Sequence, residues 1–143
     1  MISVEVSALI YPTEDKVRVQ SAIDTLFPGL EYSYHEMDKT DTITSRLVGR
    51  GDHHSLILLH EHFRHRKILD TARTNMHIER NNITFNINKQ VATAGKVSFP
   101  PDDEALGSIW VEITVKDTDE AQKVIDWLAP PTESGKPLFE IEL

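Results

Sequence analysis

The feature that most constrains the fold is a series of stretches in which apolar and polar residues alternate. This alternation is typical of strands that bury one face and leave the other in water. The stretches lie at residues 2–8, 30–34, 43–48, 83–87 and 109–115. Several neighbouring pairs are separated by a turn without room for a helix. Since a doubly wound parallel sheet needs a helix after nearly every strand, the pattern favours a mostly antiparallel sheet.

Helical periodicity is confined to a few segments. Residues 13–27 carry one apolar stripe, for which Thr13 is the predicted cap, and residues 117–128 carry another. The longest helical region spans residues 55–80 and is compatible with one helix or with two helices that are broken near residues 64–66. Residues 88–95 are typical of a short helical turn or a bulged strand. The alternation also predicts short strands at Val97 and Phe99 and at Phe139 and Ile141.

These elements predict an α+β fold with two layers, in which helices pack on one face of a mixed, mostly antiparallel sheet. The opening order is β-α-β-β, a polar turn at residues 38–41 precedes the third strand, and an acidic loop follows Pro100-Pro101. The chain of 143 residues is long enough to bury a core without disulfides or metals. Because no repeat or linker divides it, we expect a single domain over residues 1–143.

The composition narrows the class of protein. The chain has no cysteine, which excludes a disulfide framework, thiol catalysis and thiolate metal sites. Its start alternates like a strand instead of resembling a signal peptide, and no apolar run approaches the roughly 18 residues that span a bilayer. We therefore expect a cytoplasmic protein that needs no membrane and no cofactor.

Charge is unevenly distributed along the chain. The net charge is −8, which opposes indiscriminate nucleic-acid binding. Residues 41–99, however, carry 9 Lys/Arg against 5 acidic residues, whereas both flanking segments are acidic. A basic middle segment keeps RNA among the candidate ligands. The alternative is that charge is distributed this unevenly by chance, as it is in many proteins.

The first group of candidate RNA-binding residues is basic. Arg66, Arg73 and Arg80 are spaced by seven, so on one helix they would share a face. Phosphate contacts from such a face give affinity that depends on salt. An ordinary solvated face with internal pairing through Asp70 is the alternative. The full basic set is Arg46, Arg50, Arg64, Arg66, Lys67, Arg73 and Arg80.

A second group lies on a connection between elements. Asn88 and Gln90 carry amides that can read base edges, and Lys89 carries an ammonium group that can meet a phosphate. Equally, the amides of Asn88 and Gln90 can satisfy backbone groups of the turn. We treat the three residues as a second candidate surface.

Two other motifs are weak. Five histidines lie between His53 and His65, but their spacing lacks the HExxH arrangement of zinc proteases, so we predict no metal site there. The segment from Gly49 to Gly51 precedes a helical region and is compatible with an anion site, although a plain turn is the simpler interpretation. No nucleophile elbow and no pair of complementary acids is present, so we expect no enzymatic activity.

Several segments of the chain resemble an archaeal group, Uncharacterised Protein Family 0201, which is also described as an RNA-binding domain family. The matching segments occur in the same order: RKILDTAR (66–73), NKQVATAGKVSF (88–99), LGSIWVEI (106–113), DWLAPPT (126–132) and GKP (135–137). The resemblance implies a fold like that of the large-subunit ribosomal protein that binds 5S RNA, and a homodimer. It implies no known reaction or ligand, and nothing in it applies to the histidines.

We therefore predict a non-enzymatic RNA-binding protein that contacts structured RNA through the basic helix face. The competing prediction is a dimeric protein-interaction or scaffold protein with no nucleic-acid ligand, whose acidic flanks repel RNA.

Overall fold

The computed structural model describes residues 2–36, 45–99 and 107–143, and several of its strands and helices follow an element of the same type. The strands are β1 (Ser3–Ile10), β2 (Glu31–Glu36), β3 (Ser45–Gly51), β4 (His77–Glu79), β5 (Asn82–Asn88), β6 (Ser108–Thr114), β7 (Thr132–Glu133) and β8 (Lys136–Pro137). The helices are α1 (Lys16–Leu26), α2 (Ile57–His65), α3 (Leu69–Asn75), α4 (Lys89–Thr93) and α5 (Thr118–Leu128). A 3₁₀ turn (His53–Leu56) leads into α2.

Six of these strands form one sheet in the order β2-β3-β1-β6-β5-β4, and every pairing in it is antiparallel. β1 and β6 lie at its centre, with Val6 directly opposite Val111. The predicted α+β class and the antiparallel sheet are confirmed. The remaining strands, β7 and β8, form a separate small hairpin.

The core lies between the sheet and the helices. Alternate residues of the central strands, such as Val6 and Ile113, are fully buried, and they join one cluster with Ile23, Phe63 and Leu128 from the helices. The residues between them on the strands point to the opposite face of the sheet. On that face no described helix is packed against the strands, and most side chains are polar.

The predicted long helical region is two helices, and this separates residues that the spacing of seven had grouped. α2 ends at His65, and Lys67 adopts a left-handed backbone conformation with φ 58° before α3 begins. A left-handed residue stops an α-helix. Arg80 lies beyond β4, also at φ 58°, in the turn to β5. The expectation that Arg66, Arg73 and Arg80 share one helix face is therefore wrong.

The segment from Gly49 to Gly51 is part of β3 and not a turn. A Cβ added at Gly49 would lie 2.9 Å from Leu30 Cδ1, and one at Gly51 would lie 2.5 Å from Ser55 Oγ. The two glycines are needed because neighbouring side chains occupy the space above the strand. Their backbone N–H groups are used in a sheet, so the proposed anion site does not form.

Smaller differences have local causes. The N-cap of α1 is Asp15, which accepts a hydrogen bond from the backbone N–H of Val17, and not Thr13. Val97 and Phe99 form no strand; Phe99 instead packs on Phe63, with ring centroids 6.0 Å apart. Residues 139–141 are also not a strand. Of the two readings of residues 88–95, the helical turn is confirmed by α4.

Some predictions concern residues outside the described ranges. These are the polar turn at residues 38–41, the start of the third strand at residue 43, and Pro100-Pro101 with the acidic loop that follows. The side chain of Gln90 is likewise outside the description, although its backbone belongs to α4.

Candidate nucleic-acid interface

The helix-free side of the sheet, called here the open face, is a grid of side chains set by strand register. One cross-strand row runs through Asn86, Trp110, Ser7, Val48 and Ser33, on β5, β6, β1, β3 and β2 in that order. Residues opposite each other on antiparallel strands have Cβ atoms about 5 Å apart. The open face is therefore a surface on which side chains from five strands act together.

Trp110 is the most conspicuous residue of this grid. Its neighbours Ile109 and Val111 are buried in the core, so strand alternation places the indole on the open face. The side chain is 54% exposed, although β6 is a central strand. Large aromatic side chains normally bury most of their area, and tryptophan is enriched at interfaces, so the exposed indole is a candidate contact residue.

The adjacent row combines acids with a cation. Glu5 on β1 and Glu112 on β6 are directly opposite each other, which places like charges side by side at the centre of the sheet. Arg50 on β3 pairs with Glu5 through an Nη2–Oε1 distance of 3.1 Å. The side chain of Glu112 is exposed, and its carboxylate has no hydrogen bond or ion pair within the described part of the chain. At the centre of this row, Glu5 is thus a paired carboxylate and Glu112 an available one.

A groove of about 390 Å³ crosses both rows. Arg46 lies at its side and donates a hydrogen bond from Nη2 to the hydroxyl of Ser7, at 3.3 Å. The groove therefore offers an aromatic ring, hydroxyls, amides, carboxylates and a guanidinium group. Its lining residues are Glu5, Ser7, Arg46, Asn75, His77, Thr84, Phe85, Asn86, Trp110, Val111 and Glu112.

The structure brings only two of the predicted basic residues, Arg46 and Arg50, to the open face. Arg64 points into the helical layer, where its guanidinium binds both carboxylate oxygens of Glu140 at 2.9 and 2.5 Å and donates to the carbonyls of Trp127 and Leu128. Its charge is used to hold the C-terminal segment against α5.

Arg73 is also engaged internally. Its Nη1 atom lies 2.8 Å from Asp126 Oδ1 and donates to the carbonyl of Ala129. Asp70, the partner expected from helical spacing, instead accepts a hydrogen bond from Thr132 Oγ1. By contrast, Arg66, Lys67 and Arg80 are exposed, but they lie on two different turns.

The second candidate surface is dispersed. Lys89 is only 2% exposed, and its Nζ donates to the carbonyl of Leu9 at 2.7 Å and to Glu14 Oε1 at 2.8 Å. An ammonium group in that position cannot reach an external phosphate. Asn88 caps α4 by accepting a hydrogen bond from the backbone N–H of Val91 at 3.0 Å. Its amide therefore satisfies a backbone group of the turn, which was the alternative to base contact.

The histidines do not form one cluster. His60 stacks on Trp127 with ring centroids 4.6 Å apart, and burial lowers the pKa of His60. Asp52, His53 and His54 have potential ligand atoms within 4.8 Å of one another on the surface. Hydrogen bonds from the backbone and ring of His54 lower the pKa of Asp52, which caps the 3₁₀ turn. Sequence reasoning did not include Asp52 with the histidines, and the predicted lack of a metal stays a prediction.

The sequence and fold comparisons agree. A family model described as RNA binding matches residues 3–116. A UPF0201 protein of Methanosarcina acetivorans is 37% identical, with 100% of this chain and 93% of that protein aligned. A UPF0201 protein of Pyrococcus horikoshii is 43% identical over 94% of each chain. The chain belongs to the UPF0201 family. The crystal structure of the UPF0201 protein from Methanococcus jannaschii superposes with a TM-score of 0.84 at 32% identity, covering 96% of this chain and 99% of that one.

Membership of UPF0201 confirms the resemblance that the sequence motifs carried. Neither the description of the family model nor the names of these relatives mention an enzymatic activity. Within the described ranges, every helix is too short or too polar to cross a bilayer. The implied homodimer and the likeness to the 5S-RNA-binding ribosomal protein stay predictions.

Sequence reasoning missed the open face because it ranked residues by charge. The signal was nevertheless present: in the clearest alternating stretch, the position between Ile109 and Val111 is Trp110. A tryptophan at a solvent-facing position of a central strand is more informative than a basic residue on a helix, since surface arginines commonly pair with acids.

Proposed function

We propose that this UPF0201 protein binds a single-stranded segment of RNA across the open face, with Trp110 as the stacking platform. The observation that carries the proposal is the exposure of Trp110 at the centre of a polar sheet face. Sheets that bind RNA place aromatic rings where unstacked bases can lie on them. The family model described as RNA binding covers residues 3–116, which include all six strands of this sheet.

Arg46 and Arg50 supply the positive charge of the proposed site. Both lie on β3, four residues apart on the same face, so their Cα atoms are about 13 Å apart and each guanidinium group can meet a separate phosphate of an extended strand. With two phosphates neutralised, the logarithm of the binding constant should fall with the logarithm of salt with a slope of about −1.4. The acidic side chains nearby keep this electrostatic contribution small, so stacking and base contacts provide most of the affinity.

The predicted contact through the basic helix face is the competing site for the same function. Arg64 and Arg73 have internal partners, which leaves Arg66 and Lys67 as the exposed cations near the α2–α3 junction. Structured RNA bound there would need no aromatic platform and would depend on phosphate contacts alone. Charge reversal at Arg66 should therefore weaken RNA binding at the helix face and leave RNA binding at the open face unchanged.

The proposal is tested by titrating a fluorescently labelled single-stranded RNA octamer with four variants. Trp110→Ala should weaken binding by about 5- to 150-fold, the value of one base–aromatic stack, and Trp110→Phe should restore part of the loss. Ile57→Ala, which shortens an exposed apolar side chain on the helical side, is the matched control and should bind like the wild type. Arg66→Glu should also have little effect. Unchanged affinity in Trp110→Ala together with loss in Arg66→Glu would transfer the function to the helix face.

A protein-interaction function is the second candidate, and the C-terminal segment favours it. Leu138, Phe139 and Leu143 are 57%, 41% and 40% exposed, which is a high density of apolar surface in six residues. We propose that this segment contributes to the predicted homodimer. Light scattering on the wild type and on the variant Leu138→Ser/Phe139→Ser tests it: a dimer in the first and a monomer in the second is the expected result, and equal masses would contradict it.

A further inference from the structure

We infer that the groove beside Trp110 is a subsite for a guanine base. This inference rests on the proposed RNA-binding function and specifies which base the open face selects. Three properties of the groove point to guanine: its aromatic floor, its available carboxylate and the spacing between them.

The aromatic floor holds a base without choosing among bases. Every nucleobase has a π-face, so stacking on Trp110 alone tolerates any sequence. Selection must come from groups at the edge of the stacked base. Glu112 is two residues beyond Trp110 on the same face of β6, so the two Cα atoms are about 7 Å apart. That separation matches the width of a base, and it places the carboxylate where the edge of a base on Trp110 ends.

An available carboxylate at that place requires a donor from the ligand. Glu112 faces Glu5 across the strand pair, and Arg50 neutralises Glu5 but is on the far side of β1 from Glu112. Two opposed carboxylates with one cation leave the centre of the face short of positive charge or N–H donors. A ligand that brings two parallel N–H donors to Glu112 satisfies both of its oxygens.

Guanine is the base with this donor pattern. Its N1–H and N2–H groups are adjacent donors on the Watson–Crick edge, and an ionised carboxylate is an acceptor only. Adenine places its N1 acceptor next to the amino group, cytosine does the same with N3, and uracil has carbonyl oxygens on both sides of N3–H. Each of these bases would bring at least one acceptor towards Glu112, which is repulsive. Thr84, opposite Glu112 on β5, adds a hydroxyl that can donate to the guanine O6 atom.

The test compares single-stranded RNA octamers of uridine that contain one central G, A or C, measured by fluorescence anisotropy. The G-containing octamer should bind between about 5- and 150-fold tighter than the others, the range for one bidentate base contact. Equal, measurable affinity for all octamers would overturn the guanine subsite and leave the proposed function intact. No measurable binding of any octamer would overturn both.

The variant Glu112→Gln isolates the carboxylate. It keeps the shape but replaces one acceptor by an NH₂ donor, so the preference for G should fall to less than about threefold while binding of the A-containing octamer is unchanged or stronger. The matched control is Glu79→Gln, which removes the same charge from the same face on β4, away from the groove. Because Glu112 is exposed and opposes another acid, its replacement should not unfold the protein, which thermal denaturation verifies. A preference for G that survives Glu112→Gln would contradict the inference.

Discussion

The buried pair between Lys89 and Glu14 permits a quantitative prediction, since its two side chains differ in how much water they can regain. The side chains of Lys89 and Glu14 are 2% and 18% exposed. Lys89 Nζ contacts the carbonyl of Leu9 and lies 5.0 Å from the ring centroid of Tyr11. Glu14 Oε1 also accepts a hydrogen bond from the backbone N–H of Tyr11 at 3.0 Å.

Removing the acid should cost more than removing the base. Glu14→Ala leaves a buried ammonium group without its counter-charge, a change that costs about 3–5 kcal/mol. We expect the lower end, about 3 kcal/mol, because the Leu9 carbonyl and the Tyr11 ring remain. Lys89→Met leaves Glu14 with the Tyr11 N–H and some access to water, so we expect about 1–2 kcal/mol.

The assay is urea denaturation followed by circular dichroism, on both single variants and on the double variant. The double variant should be more stable than Glu14→Ala alone, because no buried charge is left unpaired. A loss below about 0.5 kcal/mol in Glu14→Ala would equal that of an exposed ion pair and would show that the Lys89 ammonium group does not need its counter-charge. Folded Lys89→Met should bind RNA like the wild type, since the ammonium group of Lys89 does not reach the surface. Weaker binding would show that Lys89 contacts RNA.

Three further predictions concern packing and pH. Gly51→Ala should lower the free energy of unfolding by about 1–3 kcal/mol by crowding Ser55, and Ser55→Ala in the same chain should recover part of it; equal losses in the single and double variants would exclude the crowding. Arg64→Met should free the C-terminal segment, seen as faster exchange of the Leu138 amide, which donates to the carbonyl of Pro131, whereas unchanged exchange would contradict the anchoring function of Arg64. Acidification should reduce stability in two steps measured by Tm. Burial lowers the pKa of His60, so on acidification the unfolded chain takes up a proton first and stability falls below about pH 6.5. Hydrogen bonds from Arg64 lower the pKa of Glu140, so the stability that Glu140 contributes is present above its unfolded pKa of about 4.5 and is lost below it. His60→Gln should remove the upper step only, and a Tm profile that is identical with and without His60 would contradict this assignment.

The sheet was predictable from sequence because alternation is a local property. Ile109, Val111 and Ile113 are buried as their spacing required, and the same alternation fixes the outward direction of Trp110. Local signals failed where neighbours in space decide the conformation. Gly51 looks like a turn residue, but it lies at the end of β3, where Ser55 leaves no room for a larger side chain.

The candidate site was less predictable than the fold because charged side chains choose partners that are distant in sequence. Arg64 binds Glu140, 76 residues away, and Arg73 binds Asp126, 53 residues away. Lys89 and Glu14 are 75 residues apart. Helical spacing cannot reveal such pairs, so an exposed basic face was expected where the structure has internal ion pairs. Arg46 and Arg50 reach the open face because strand alternation, a local rule, places them there.

If RNA lies on the open face, a map of the surface that changes on binding should coincide with that face. We would record ¹H–¹⁵N spectra of the labelled protein while adding a single-stranded RNA octamer. The signals of the Trp110 indole N–H and of the backbone amides of β1, β3, β5 and β6 should shift, while those of Arg66 and Lys67 stay in place. Shifts confined to the α2–α3 junction, or a spectrum that does not change at saturating RNA, would contradict it.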